Sequence, residues 1–155
     1  MADMFDKATR SRIMKSVRVA ATEPEECLAV ALRGLGLRFR RNDRFVFGKP
    51  DFAFRSVRLA VFVDGDFWHG RAWFEKREAP ATNPDFWIGK FERNAARDRL
   101  VASELRRNGW SVLRLWGSDV RREALVAARR VRDRLRRLAR KQSTSVALNP
   151  RRNTA

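Results

Sequence analysis

The sequence predicts an α/β fold: a mixed sheet flanked by helices, in a single domain. Three observations carry this. The segment Val57 to Val63 is short, rich in branched side chains and almost wholly apolar, as a strand buried on both faces is. Asp51 to Phe54 precedes it across a tight turn at Arg55 and Ser56, which makes an antiparallel hairpin. Trp110 to Trp116 is a further strand, separated from the hairpin by a long helical pattern, so a right-handed crossover and parallel pairing follow. A length of 155 residues suits one domain with a real core.

Taken in order, residues 1–20 form a basic N-terminal arm, in which Lys7, Arg10, Arg12, Lys15 and Arg18 outweigh Asp3 and Asp6. Asp6 can cap a short helix through Met14. The arm either lies on a polyanion or frays as a terminus. The folded domain is expected over 21–141. Thr22, with Glu25 three positions on and Pro24 in the first turn, opens a helix whose stripe is Leu28, Leu32 and Leu35; Gly34 and Gly36 close it. Glu25 is either the capping-box partner or an acidic group aimed at the sheet. Leu37 to Arg41 alternates like a half-exposed strand, and Phe45 to Phe47 continue toward Gly48 and Pro50. Gly70 to Pro84 reads as an irregular loop containing Trp73 and Phe74. Pro84 and Asp85 start a helix lasting to about Asn108, with Ile88, Phe91, Ala95, Ala102 and Leu105 on one face. A last helix runs from about Ser118 or Asp119 to Lys141, its apolar side Val120, Leu125, Ala128, Val131, Leu135 and Leu138. Its other faces are dense in arginine, which makes them either a solvated surface or a second phosphate-binding one. Residues 142–155 are polar and expected to be a disordered tail.

Charge narrows the partner. A formal net charge of +17 favours a polyanion through counterion release and long-range steering. Nucleic acid leads, with an anionic membrane surface behind it. No apolar run is long enough to span a bilayer, and the start lacks a signal-peptide core. The single cysteine, Cys27, excludes an internal disulfide framework and a multi-cysteine metal site, which points to a reducing, cytoplasmic setting.

The chemistry concentrates between Lys49 and His69. The hairpin brings Asp51 beside Asp64 at one sheet end, and Asp64-Gly65-Asp66-Phe67-Trp68-His69 follows with the only histidine of the chain. Converging carboxylates repel unless a divalent cation lies between them, and Mg²⁺ is held by one or two carboxylates with phosphate and water. Aspartates also flank turns for local reasons, and that alternative stands beside the metal reading. Carboxylates at a sheet end with a cationic surface suit metal-dependent phosphodiester cleavage, with His69 transferring a proton. The aromatics Phe67 and Trp68 are either core or base-stacking surfaces.

The segments Asp6-Lys7-Ala8-Thr9-Arg10-Ser11, Gly48-Lys49-Pro50-Asp51-Phe52, Val61 to Gly70, Pro80-Ala81-Thr82, Phe86-Trp87, Asn94, Arg97-Asp98 and Gly109-Trp110 resemble the very-short-patch repair (Vsr) DNA mismatch endonucleases, in order over residues 2 to 116. The resemblance implies a restriction-endonuclease-like fold and a Mg²⁺-dependent, monomeric enzyme. Its implied reaction is nicking of double-stranded DNA 5′ to the thymine of T:G mismatches left by 5-methylcytosine deamination, with repair proteins as possible partners. It makes Asp51 the essential metal ligand and the Val63 carbonyl a second. His69 becomes the proton-transfer residue, and Glu25 supports the site through water. Phe67, Trp68 and Trp87 match aromatics that wedge beside the mismatch, and Met14 matches a residue entering from the opposite groove. Lys90 and Asn94 match contacts to the mismatched pair.

Two departures qualify the resemblance. Asp64 stands where some members carry histidine, so any role of that histidine passes to a carboxylate or is lost. The structural zinc positions hold Asp66, Gly70, Arg71, Trp73 and Ser118, so zinc is not expected and Trp73 or Phe74 is left to hold the loop by packing. The alternatives are a related endonuclease with another target, and a module that binds distorted duplex without cutting.

Overall fold

The computed structural model describes residues 23–148. The expected basic arm, with Met14, and the last residues of the expected tail lie outside them. Helix α1 covers 23–34. It is followed by β1 (Arg40–Arg41), β2 (Phe52–Phe54), β3 (Leu59–Asp64), α2 (Arg71–Lys76), α3 (Pro84–Arg107), β4 (Ser111–Trp116), α4 (Gly117–Arg122) and α5 (Ala124–Leu148). The strands form one sheet in the order β1-β2-β3-β4. β1 and β2 are antiparallel, as are β2 and β3, whereas β3 and β4 run parallel from Leu59↔Ser111 to Asp64↔Trp116. The sheet is therefore mixed and flanked by helices, as the hairpin and crossover predict.

β3 shows why its composition is so apolar. Successive side chains point to opposite faces of a strand. Leu59 and Val61 join Leu28 and Leu32 of α1 and Val131 of α5, while Ala60 and Phe62 join Ala102 and Leu105 of α3. Both faces are thus covered, and a charge at Val61, fully buried, would have no partner on either.

Three local expectations are corrected. The strand expected over 37–41 is paired only at Arg40 and Arg41: the Leu37 amide still bonds the Leu32 carbonyl at the end of α1, and the chain turns through left-handed Asn42 (φ 47°) straight after Arg41. Asp43 holds this turn by accepting from the Phe45 amide at 3.2 Å and from Arg55 Nε and Nη2 at 2.7 and 2.8 Å. Val46 is buried there and Phe45 and Phe47 are exposed. The segment 70–84 is not wholly irregular but contains α2, entered at Gly70 (φ 64°) and left at Arg77 (φ 60°). The last helix is two: α4 stops at Glu123 (φ −145°), and α5 then passes Lys141 and ends at Leu148. Among the described residues, no helix is long and apolar enough to cross a membrane.

Candidate active site

The end of the sheet where β2 begins and β3 finishes collects the acidic side chains. Asp51, immediately before β2, accepts a hydrogen bond from the Val63 amide at 2.7 Å, which ties it across the hairpin. Burial pushes its pKa up; the Val63 amide opposes this, and the negative charge of Asp64 reinforces it. Glu25 reaches the same end from the first turns of α1. Its pKa is pushed up to about 7, first by burial and next by the charge of Asp51. Arg41 Nη2 stands 3.6 Å from Glu25 Oε2, and Arg41 Nη1 is bound to Glu26. Glu25 therefore couples electrostatically to the sheet end, while Thr22, its partner in the capping-box reading, lies outside the described residues.

Asp64 closes β3 and is only 8 % exposed. It accepts from Arg114 Nη1 at 2.8 Å, and its Oδ1 lies 3.7 Å from His69 Nε2. Burial raises its pKa, while the charges of His69 and Arg114 pull it back. The other imidazole nitrogen, Nδ1, is 2.8 Å from Asp98 Oδ2 on α3. Burial disfavours the imidazolium, but the Asp98 hydrogen bond and the Asp64 charge outweigh it, so the His69 pKa lies above its ordinary value. Asp98 is held below the usual carboxylate range: burial opposes this, and the hydrogen bond to His69 and the Arg114 charge prevail. Arg114 completes the group, with Nη2 at 3.4 Å from Asp98 and the guanidinium 4.4 Å from the centre of the Phe62 ring.

Asp64, His69 and Asp98 offer donor atoms within 4.8 Å of one another. Charge distinguishes this trio from the Asp51–Glu25 pair. Arg114 lies against both Asp64 and Asp98, and His69 is hydrogen-bonded to Asp98. The Asp51 charge raises the proton affinity of Glu25, and the Asp64 charge that of Asp51, against Arg41 at both and Arg114 at Asp51. A hard divalent cation would offset the repulsion that Asp51 and Glu25 carry at this sheet end. The donors there are oxygens, the set Mg²⁺ takes.

The aromatic residues expected near the site come together. Phe67 lies edge-on to Trp68 (5.4 Å between ring centres) and to Trp87 (4.9 Å), and Trp87 stacks on Phe91 at 6.2 Å. Lys90 Nζ sits 5.0 Å from the Trp68 ring centre and 5.4 Å from that of Trp87. Asn94 Nδ2 donates to the Trp68 carbonyl at 2.9 Å. Phe67 and Phe86 keep open faces, at 46 % and 57 % exposure. Gly70 closes the turn because a β-carbon there would lie 2.6 Å from the Phe91 ring.

The far side of this turn is held by a guanidinium. Arg71 Nη1 donates to Ser118 Oγ at 2.9 Å and to Asp119 Oδ1 at 3.0 Å, with Asp66 Oδ2 at 3.3 Å. Its Nε donates to Glu75 at 3.1 Å, and its plane lies 5.3 Å from the Trp116 ring centre. Asp66 also accepts from the Ser118 amide at 2.9 Å. Beside this polar knot, Trp73 is partly buried with the Arg77 guanidinium 5.3 Å from its ring centre, whereas Phe74 is 41 % exposed.

Two participants escaped the sequence reading of roles, Asp98 and Arg114. Asp98 had a signal. It lies seven residues after Phe91 and seven before Leu105, inside the apolar stripe of α3, where a carboxylate has no packing reason to be. Arg114 gave none, because its partners are distant in sequence.

A family model described as DNA mismatch endonuclease Vsr matches residues 2–75. A type II nicking enzyme, V.NmeDIP of Neisseria meningitidis serogroup C, is 43 % identical over 134 residues, covering 86 % of this chain and 90 % of the relative. V.HpaIIP, a type II nicking enzyme of Haemophilus parainfluenzae, is 46 % identical over 120 residues, covering 75 % and 85 %. The DNA mismatch endonuclease Vsr of Escherichia coli K12 is 40 % identical over 121 residues, covering 78 % and 77 %.

Proposed function

Because the chain belongs to the Vsr family of DNA endonucleases, whose restriction-endonuclease-like α/β fold its mixed sheet displays, we propose that it nicks duplex DNA 5′ to the thymine of a T:G mismatch in a Mg²⁺-dependent reaction. The observation that carries this reading is adjacency. One turn, residues 65–70, presents His69 to Asp64 and Asp98 and presents Phe67 and Trp68 to Trp87. Proton transfer and base unstacking are thereby built on the same few residues.

Asp51 and the Val63 carbonyl would hold Mg²⁺, with Glu25 supporting it through water. When bound, the metal supplies a Lewis acid that lowers the pKa of water and offsets charge on the phosphate. The protein's own groups do the rest. Asp98 accepts the Nδ1 proton of His69, which fixes the tautomer that leaves Nε2 with its lone pair. Nε2 then takes a proton at the reacting end. Asp64, paired with Arg114, stabilises the imidazolium that results. Phe67, Trp68 and Trp87 enter the stack beside the mismatch, where a wobble pair separates at lower cost than a matched one. Lys90 lies over the Trp68 and Trp87 rings and Asn94 holds the Trp68 backbone carbonyl, besides any contact to the pair. Met14, outside the described residues, would act from the opposite groove, as the family resemblance implies. The enzyme acts as a monomer in the cytoplasm, and repair proteins process its nick.

The test is incubation of T:G and matched duplexes in Mg²⁺, with Asp51→Ala and His69→Ala as controls. Nicking confined to the thymine strand of T:G, lost in both variants and with EDTA, is the expected result. Equal cutting of matched DNA would assign another target. Mismatch binding without cutting, unchanged by Asp51→Ala, would leave only a recognition module.

A further inference from the structure

We infer that the outer face of α5 is a second, sequence-independent contact for duplex DNA, separate from the cleft at the acidic end of the sheet. The inference rests on the reading of this chain as a DNA endonuclease, and it concerns a surface that the reaction does not use.

The helix is two-sided. Ala127, Ala128 and Val131 are buried in the core, and Leu135 and Leu138 pack against it. The opposite side carries Arg129, Arg136, Arg137 and Arg140, all exposed. Spacings of seven, eight and eleven residues align these four on one face, extending roughly 16 Å along the helix axis. Among the described residues, none of the four has an acidic partner; Asp133, the lone carboxylate of α5, pairs with Arg132 at 3.6 Å.

Such a face has a structural cost and no structural return. Like charges at i and i+4, as at Arg136–Arg140, repel one another along a helix. The core needs only the apolar side. A polyanion reverses the sign of that repulsion, and a duplex offers about one phosphate charge per 1.7 Å of its axis. Arginine also suits phosphate through its planar fork of donors.

Position separates this face from the cleft. Gln142 of α5 donates to the Ser56 carbonyl at 3.3 Å, and Ser56 is in the β2–β3 turn. The turn is the end of the sheet away from Asp51 and Asp64, since Phe54↔Leu59 adjoin it. The helix thus runs from α4, beside the acidic end, back along the sheet to its opposite end. DNA on its arginines is a stretch other than the one at His69: either flanking duplex that bends round, or a second molecule.

The experiment compares the full chain with a variant in which Arg129, Arg136, Arg137 and Arg140 are all changed to glutamine, a good helix former, at exposed positions. A companion with all four changed to lysine keeps the charge, and circular dichroism checks the helix in both. Binding to a matched 40-base-pair duplex is followed by fluorescence anisotropy across about 50 to 200 mM salt. The glutamine variant should lose affinity, and its salt slope should shrink by about 0.9 for each phosphate contact removed. The lysine variant should keep most of the slope. The single-turnover nicking rate on saturating T:G duplex should not change. Loss of the effect on a duplex just long enough for the cleft identifies flanking DNA; an unchanged effect together with two duplexes bound per chain identifies a second molecule. An unaltered slope in the glutamine variant overturns the inference. So does binding lost only to vesicles containing phosphatidylserine, or only to structured RNA. If the slope falls but no variant or parent nicks T:G, the surface stands and the proposed reaction fails.

Discussion

Asp64 and Asp66 are two residues apart, both pair with an arginine, and they do opposite work. Asp64 is buried at the end of β3, where Arg114 offsets its charge and His69 stands beside it. Asp66 is part of the knot that Arg71 makes with Ser118 and Asp119. Near-identical chemistry has thus been divided. The buried pair keeps a carboxylate at hand for an imidazolium, and the partly exposed pair fastens α2 and α4 to the turn carrying that imidazole. Burial decides the division, because in the interior an ion pair shapes proton affinity, whereas near water it mostly fixes position.

The comparison breaks first at the chemistry. His69→Ala and Asp51→Ala should each lower single-turnover nicking of T:G duplex by about 10²–10⁴-fold, with thermal unfolding little changed for the histidine. Asp64→Asn should come next, with about a tenfold loss or more, since one pKa unit withheld from the imidazolium is worth about 1.4 kcal/mol. The parallel change Asp66→Asn should leave the rate within about threefold, the two measured side by side on folded protein. Arg71→Ala should act on stability: about 1–2 kcal/mol after allowance for solvent screening, a fall in Tm of a few degrees by calorimetry. If Arg71→Ala costs as much rate as Asp64→Asn, the division between them is false.

The remaining prediction concerns pH. The folded pKa of Glu25, about 7, lies above its ordinary 4.5. The folded state therefore binds the proton more tightly than the unfolded chain. Stability from this group is present below about pH 4.5 and is lost as pH rises toward 7. Denaturant melts of the metal-free protein should show that downward slope, and Glu25→Gln should flatten it. Added Mg²⁺ should oppose the loss in the parent more than in the variant.

Local pattern made the framework legible. The apolar run of β3 and the stripes of α1 and α3 name the centre of both core clusters, because those residues answer to their own neighbours. The short α2 was hidden, since six residues supply too little periodicity and its limits are backbone turns at Gly70 and Arg77. The break at Glu123 likewise leaves no mark in an apolar stripe that continues across it. At the site, the carboxylates and the histidine stand out by type and place. Arg114 does not, because its meaning lies in Asp64 and Asp98, which reach it from other elements.

Asn94 and Asp98 occupy successive turns of α3, one grasping the Trp68 carbonyl and the other the His69 ring. Trp68 and His69 are neighbours along the chain, so this stretch of helix works like a caliper closed on a single joint. A duplex too stiff to admit the ring should therefore also be one on which the proton acceptor is poorly aimed.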